Sequence, residues 1–97
     1  MKEVLVKDFE EFFAKHGRYY SEFYVGIAAD PKDTLFNRHS VNEKRDAWIH
    51  SNNALLSSTV RDIEQLFLAR GAKGGPGGGD SSTRYVYAYK IAPHTRG

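Results

Sequence analysis

The run GAKGGPGGGDSST, residues 71–83, constrains the fold more than any other stretch. It holds six glycines between positions 71 and 79. Glycine loses more backbone freedom on ordering than any other residue, so this run is neither helix nor interior strand. It therefore sets a last element, RYVYAYKI at 84–91, apart from everything before it. The run is not a Walker motif, because it lacks a Gly-Lys-Ser/Thr end. It is not a dinucleotide fingerprint either, because no helix follows it. Bare glycine amides can nest an anion, which makes Gly77 and Gly78 candidate ligand contacts, bracketed by Lys73 and Asp80. The competing reading is a flexible linker, the default for such composition.

Upstream of the run, the apolar residues follow two periods. In VLVKDFEEFFAKH, 4–16, Leu5, Phe9, Phe12, Phe13 and His16 fall at helical spacing, with Glu10, Glu11 and Lys15 off that stripe. Gly17 stops the helix. RYYSEFYVGIA, 18–28, alternates instead and predicts a strand. Phe23, Val25 and Ile27 share a buried face; Tyr20, Glu22, Tyr24 and Gly26 share a decorated one. Asp30-Pro31 opens a short second helix running to about His39, with Asp30 as N-cap, Pro31 at the first helical position and Asp33 in the first turn. A polar connection leads to a second strand, AWIHS at 47–51, and SNNALLS is a loop. TVRDIEQLFLAR, 59–70, predicts a helix with a capping box at Thr59 and Asp62. Its buried stripe is Val60, Ile63, Leu66 and Phe67, and Gly71 is its stop. RYVYAYKI is the third strand, with Tyr85, Tyr87 and Tyr89 on one face, and the tail APHTRG is expected to fray. This order, α-β-α-β-α-β, implies a small α+β fold with three helices packed on a three-stranded sheet. Residues 1–97 form one domain, with the glycine-rich loop at 71–82.

Composition narrows the function classes. A net charge of +2, with a sequence pI near 8.9, is mildly basic and compatible with nucleic acid or a phosphorylated nucleotide. There is no cysteine, hence no disulfide and no thiolate zinc site. No apolar run approaches the length that spans a bilayer, and MKEVLVKDFEEFF carries acids where a signal peptide needs an apolar centre. The expectation is a cytoplasmic protein without a membrane partner. His16, His39, His50 and His94 show no metal-site spacing.

The motif with chemical content is Tyr24-Val25-Gly26, at the end of a strand and followed by a helix, a strand and a helix with a central Glu64. Gly26 either lets the backbone turn or keeps space open beside Tyr24. That order of pieces, over about residues 20–70, resembles the GIY-YIG nuclease-like superfamily. In that family the motif tyrosines lie on two paired strands, an arginine on the first helix contacts the scissile phosphate, and a later glutamate holds a divalent metal. The resemblance implies Tyr24 and Glu64 as catalytic residues, with Glu64 holding Mg²⁺, and Arg38 joins them in the candidate catalytic set as a relocated cation. By register the arginine should stand at Thr34 or Leu35, neither of which is basic; Arg38 lies about a turn further on and Lys32 before it. The first motif strand is also out of order, since a helix precedes YVG. In a circular permutation RYVYAYK would pair with the YVG strand instead, placing Tyr85 or Tyr87 where the first tyrosine belongs.

The same residues have plainer readings. Glu64 suits the flank of a buried stripe, Tyr24 suits packing over Gly26, and Arg38 and His39 suit a helix C-terminus. Tyr85, Tyr87 and Tyr89 form either a base-stacking platform, with Arg84 and Lys90 for phosphate, or core. Two functions remain from the sequence. One is a catalytically degenerate binder of nucleic acid, a phosphorylated nucleotide or a protein partner. It would use Gly26, Lys32, His39, Tyr85, Tyr87, Gly77 and Gly78, and would suit a phage or mobile-element accessory or anti-defence factor. The other is a Mg²⁺-dependent endonuclease hydrolysing phosphodiester bonds.

Overall fold

The helical stripes and the strand alternation meet in one layer. Phe9, Phe12 and Phe13 from the first stripe, and Val60, Ile63 and Phe67 from the second, are buried together against Phe23, Val25, Val86 and Ala88. In the computed structural model, which describes residues 2–74 and 83–96, the elements are helix α1 (Lys2–His16), strand β1 (Phe23–Ala28), helix α2 (Pro31–Asp33), strand β2 (Trp48–His50), helix α3 (Ser57–Ala69) and strand β3 (Tyr85–Lys90). A 3-10 turn, Tyr20–Glu22, precedes β1, and a π turn, Thr34–Arg38, prolongs α2. The molecule is an α+β fold in the expected order, α-β-α-β-α-β.

The sheet order is β1-β3-β2, antiparallel throughout, so the last strand in sequence is the central one. Register sets Tyr24 opposite Tyr89, Gly26 opposite Tyr87 and Ala28 opposite Tyr85. On the other side of β3, Trp48 faces Tyr89 and His50 faces Tyr87. The outer edge of β1 is covered as well: the backbone of Lys73 hydrogen-bonds to Phe23 and Val25, at 2.8 Å each. Over those residues the edge offers no template for pairing with another chain.

Aromatic contacts tie the helical layer to the sheet. The Phe13 ring lies 4.7 Å from Phe23 and 5.1 Å from Phe67, and Phe9 stacks on Phe67 at 6.0 Å. Each fully buried ring of this kind stabilises the fold by about 1.5–3 kcal/mol. Arg70 closes the end of the layer with an ion pair to Glu10 at 2.5 Å and a position over the Tyr20 and Phe67 rings.

The opposite face of the sheet is buried too, which differs from the expectation of one buried and one decorated face. Leu35 and Val41, carried by the π turn and the chain just after it, cover Ala28, Tyr87 and Tyr89. Tyr87 and Tyr89 are therefore core rings, and the base-stacking platform is not formed. Lys90, one of its two expected phosphate contacts, instead donates to the His16 carbonyl on the helical side.

Several boundaries move for local reasons. The strand predicted from 18 begins at Phe23, because the Glu22 carboxylate accepts from the backbone N–H of Arg18 and Tyr19 and closes a turn there. Helix α3 starts at Ser57 behind Leu56, with no side-chain cap bond, so the Thr59–Asp62 capping box is not used. Gly71 does terminate the chain run after α3, at φ +116°, a conformation that favours glycine. The tail is not frayed through Arg96: its backbone N–H donates to the His39 carbonyl at 2.8 Å.

The Asp30 cap stands as expected, accepting from the Asp33 N–H at 3.1 Å ahead of Pro31. Asp30→Ala is expected to cost about 1 kcal/mol. Chemical denaturation checks this, with an unchanged slope and a lower midpoint as the expected result.

Candidate functional site

The site begins with the glycine. A Cβ at Gly26 would lie 2.5 Å from the Tyr87 hydroxyl oxygen and 2.6 Å from its Cζ. Gly26 thus keeps space open, and the ring that uses the space is Tyr87 on the paired strand, not a turn of the backbone or the side of Tyr24. Only a residue without a side chain lets the Tyr87 hydroxyl settle there.

The π turn brings the second component. Its closing bond runs from the His39 N–H to the Thr34 carbonyl, at 3.0 Å. Ser40 then takes φ +59°, the left-handed conformation that commonly follows a helix end. His39 is left buried over the tyrosine face. Its Nδ1 lies 2.5 Å from the Arg96 carbonyl oxygen, which can only accept, so Nδ1 carries the proton. In the neutral ring Nε2 is then bare and accepts from the Tyr87 hydroxyl at 2.7 Å. Tyr24, half-buried, packs its ring 4.7 Å from His39 and stacks on Tyr89 at 5.3 Å with an interplanar angle of 16°. The Tyr89 hydroxyl donates to the same Arg96 carbonyl at 2.9 Å.

The electrostatics follow from burial. Burial pushes the Tyr87 phenol well above its ordinary value, with Tyr24, Tyr89 and the Glu64 carboxylate adding to the shift and the Arg38 guanidinium opposing it. Burial likewise raises Tyr89, with Tyr24 second. Both hydroxyls therefore remain protonated donors. Glu64, on α3, is 4% exposed, and burial pushes its carboxyl above the usual glutamate range, with Arg61 opposing. Among the described residues its carboxylate has no hydrogen-bond or ion-pair partner.

Four expected site residues, Tyr24, Gly26, His39 and Tyr87, thus form one contacting cluster, and Glu64 and Arg38 lie within electrostatic reach of its central hydroxyl. Arg38 is exposed. Lys32 is exposed on α2, and no described contact joins it to the cluster. Tyr85 is half-buried one rung beyond Tyr87, opposite Ala28. Gly77 and Gly78 lie outside the described residues. Of the two positions where the family arginine was expected, Leu35 is 0% exposed in the core and Thr34 is half-buried, so neither presents a cation. The sequence placed Tyr89 on the tyrosine face without counting it among the ligand-binding residues, and gave no sign of the Arg96 backbone. Tyr89 had a signal in its same-face spacing with Tyr87; a backbone carbonyl has none.

Among the described residues no group of three or more His, Asp or Glu side chains gathers to hold a metal. Mg²⁺ is nevertheless often held by one or two carboxylates, with phosphate and water completing its shell. Glu64 is the carboxylate that a single-carboxylate mode would use here, and no all-protein cage is present among the described residues. Compared with protein-family models, curated proteins and solved structures, the chain matches none. Among the described residues no helix is long and apolar enough to cross a membrane.

Proposed function

We propose that the Tyr24–Gly26–His39–Tyr87 face is a phosphodiester-binding site and that the chain is a cytoplasmic nucleic-acid-binding protein, GIY-YIG-like in circularly permuted order. The observation that carries this is the pairing of the YVG strand with the tyrosine strand, which sets Tyr87 opposite Gly26 and under His39. A permuted arrangement needs that pairing. Arg38 is the cation for phosphate, exposed and close enough to act on the Tyr87 hydroxyl. Tyr24 supplies a donor beside it, and Tyr87 holds His39 in place through its hydroxyl. The loss of basic character at Thr34 and Leu35 favours binding over rapid turnover, because hydrolysis needs charge neutralisation at the phosphate.

A second reading, Mg²⁺-dependent phosphodiester hydrolysis, is favoured by Glu64 alone. Burial disfavours the Glu64 carboxylate and the Arg61 charge opposes that only in part, and ligation of a cation is one reason to keep such a group. Mg²⁺ bound there would polarise a phosphoryl oxygen. Glu64 would hold the ion, and Arg38 would hold the phosphate in place.

A gel assay separates these. Labelled single- and double-stranded DNA and RNA are incubated with the protein in Mg²⁺, Mn²⁺ or chelator. Binding predicts a retarded band in every buffer that Arg38→Ala weakens roughly uniformly across sequences, the behaviour of a phosphate contact. Metal-dependent cleavage would establish the second reading. No retardation and no cleavage of any nucleic acid would refute both.

A further inference from the structure

We infer that the C-terminal segment 92–96 is a strap that occupies a phosphate-oxygen subsite of this face and must lift for the ligand to bind. This rests on the phosphodiester reading of the site. The key atom is the Arg96 carbonyl oxygen. Two donors from different elements converge on it: His39 Nδ1 at 2.5 Å and the Tyr89 hydroxyl at 2.9 Å. Neither donor has another acceptor as close among the described residues. The same His39 contacts the Tyr87 hydroxyl through its other nitrogen and the Tyr24 ring through its face. A neutral carbonyl therefore sits in a two-donor cradle at the centre of the proposed site. A phosphate oxygen is charged, and charge-assisted hydrogen bonds are about twice as strong as neutral ones. The donors cannot serve both acceptors fully, so ligand and strap compete.

The strap is fastened by contacts that its own backbone and two side chains, exposed His94 and half-buried Thr95, supply. The Arg96 N–H donates to the His39 carbonyl at 2.8 Å. Thr95 closes a turn on Ala92, its hydroxyl accepting from the Ala92 N–H at 3.0 Å and donating to the Ala92 carbonyl at 2.8 Å. His94 pairs with Asp46 at 2.5 Å, and Asp46 is itself held by the Asn42 N–H at 2.7 Å. Before the strap, the Ile91 N–H donates to the Glu22 carbonyl at 2.9 Å, which fixes its root in the sheet. The side-chain part of the fastening is thus separable from the cradle. His94, Thr95 and Asp46 hold the strap without touching His39, Tyr87 or Tyr89 in any described hydrogen bond.

The test uses two variants and one direct observable. One variant ends at Ala92; the other, His94→Ala with Thr95→Ala, keeps the full length and only loosens the strap. Circular dichroism melts establish that each folds, and the double substitution carries the test if the shortened chain does not. Binding of a fluorescein-labelled single-stranded DNA and its RNA counterpart is measured by anisotropy in chelator. Hydrogen exchange of the Arg96 amide is followed with and without the oligonucleotide. A competent state of a few per cent lowers apparent affinity by that fraction, so loosening the strap is expected to tighten binding by about 10- to 100-fold. In the complex of the unaltered protein the Arg96 amide is expected to lose its protection. Binding by the loosened variants alone would support the strap most strongly. Equal affinity for all three proteins, with Arg96 still protected in the complex, overturns the strap and leaves the site reading intact. No binding by any of them overturns the site reading and the strap with it.

Discussion

Glu64→Gln is expected to move stability and function in opposite directions. The carboxylate is 4% exposed and has no described hydrogen bond, and burial raises its affinity for a proton in the folded state. A folded-state value above the unfolded one means that Glu64 favours folding fully only below its ordinary value of 4.5. That contribution is lost as pH rises through the raised folded value. Above that raised value the native protein bears a carboxylate that burial disfavours and that the Arg61 charge only partly offsets. Gln keeps the shape and removes the charge, so the melting temperature at pH 7 is expected to rise. A gain of about 1 kcal/mol corresponds to about 4–8 °C in a chain of this size. Between pH 7 and pH 4 the unaltered protein should close the gap, because protonation does what the substitution does. If Glu64 holds Mg²⁺, the same change removes any metal-dependent cleavage by at least about 100-fold, since loss of even an outer-shell partner can cost that much. A stabilised but inactive variant is the signature of a residue kept for function. A variant with unchanged stability at every pH would show instead that Glu64 is an ordinary solvated flank.

Gly26→Ala is expected to damage fold and site together. The added Cβ meets the Tyr87 ring at 2.5–3.0 Å. That ring is buried and its hydroxyl is committed to His39, so it has no free rotamer to take up the strain. Overpacking of this kind costs about 1–3 kcal/mol, and loss of the Tyr87–His39 hydrogen bond adds about 1 kcal/mol. Urea denaturation should show the fall in midpoint, and the affinity for nucleic acid should fall with it. The clash is specific to one pair. In a Tyr87→Ala background the same substitution at Gly26 should cost well under 1 kcal/mol, a strong departure from additivity. Additive costs would mean that the glycine serves its backbone and not the ring opposite.

Much of the helical layer was legible because its signal is periodic. Phe9, Phe12 and Phe13, and Val60, Ile63 and Phe67, fall at the spacing that one buried face requires, and all are buried. The second buried face was not legible. It is covered by an irregular segment whose few apolar residues, Leu35, Phe36 and Val41, show no period, so nothing local announced that Tyr87 and Tyr89 would be core. The helix α3 start was misplaced because Thr59 and Asp62 have the chemistry of a capping box, while the chain enters the helix two residues earlier, behind an uncapped Leu56. Within the site, Tyr24 and Gly26 were visible as a motif and Glu64 as an acid in an apolar helix. The pairing of β3 with β1 was the arrangement a circular permutation would need, but the place of β3 between β1 and β2, and His39 over Tyr87, were not foreseen. Strand order is a long-range choice that alternation within one strand does not encode. The Arg96 carbonyl lay beyond any side-chain reading, since its role is carried by backbone.

The central claim is that one face, from Tyr24 through Gly26 to His39 and Tyr87, receives a phosphodiester. Amide chemical-shift mapping with ¹⁵N-labelled protein and a short single-stranded oligonucleotide tests it most directly. The expected result is a contiguous set of saturable shifts at Tyr24, Gly26, Arg38, His39, Tyr87 and Arg96, with the α1 face undisturbed. Shifts centred on α1 or on the Trp48 edge of the sheet, or none at all with DNA and RNA alike, would contradict it.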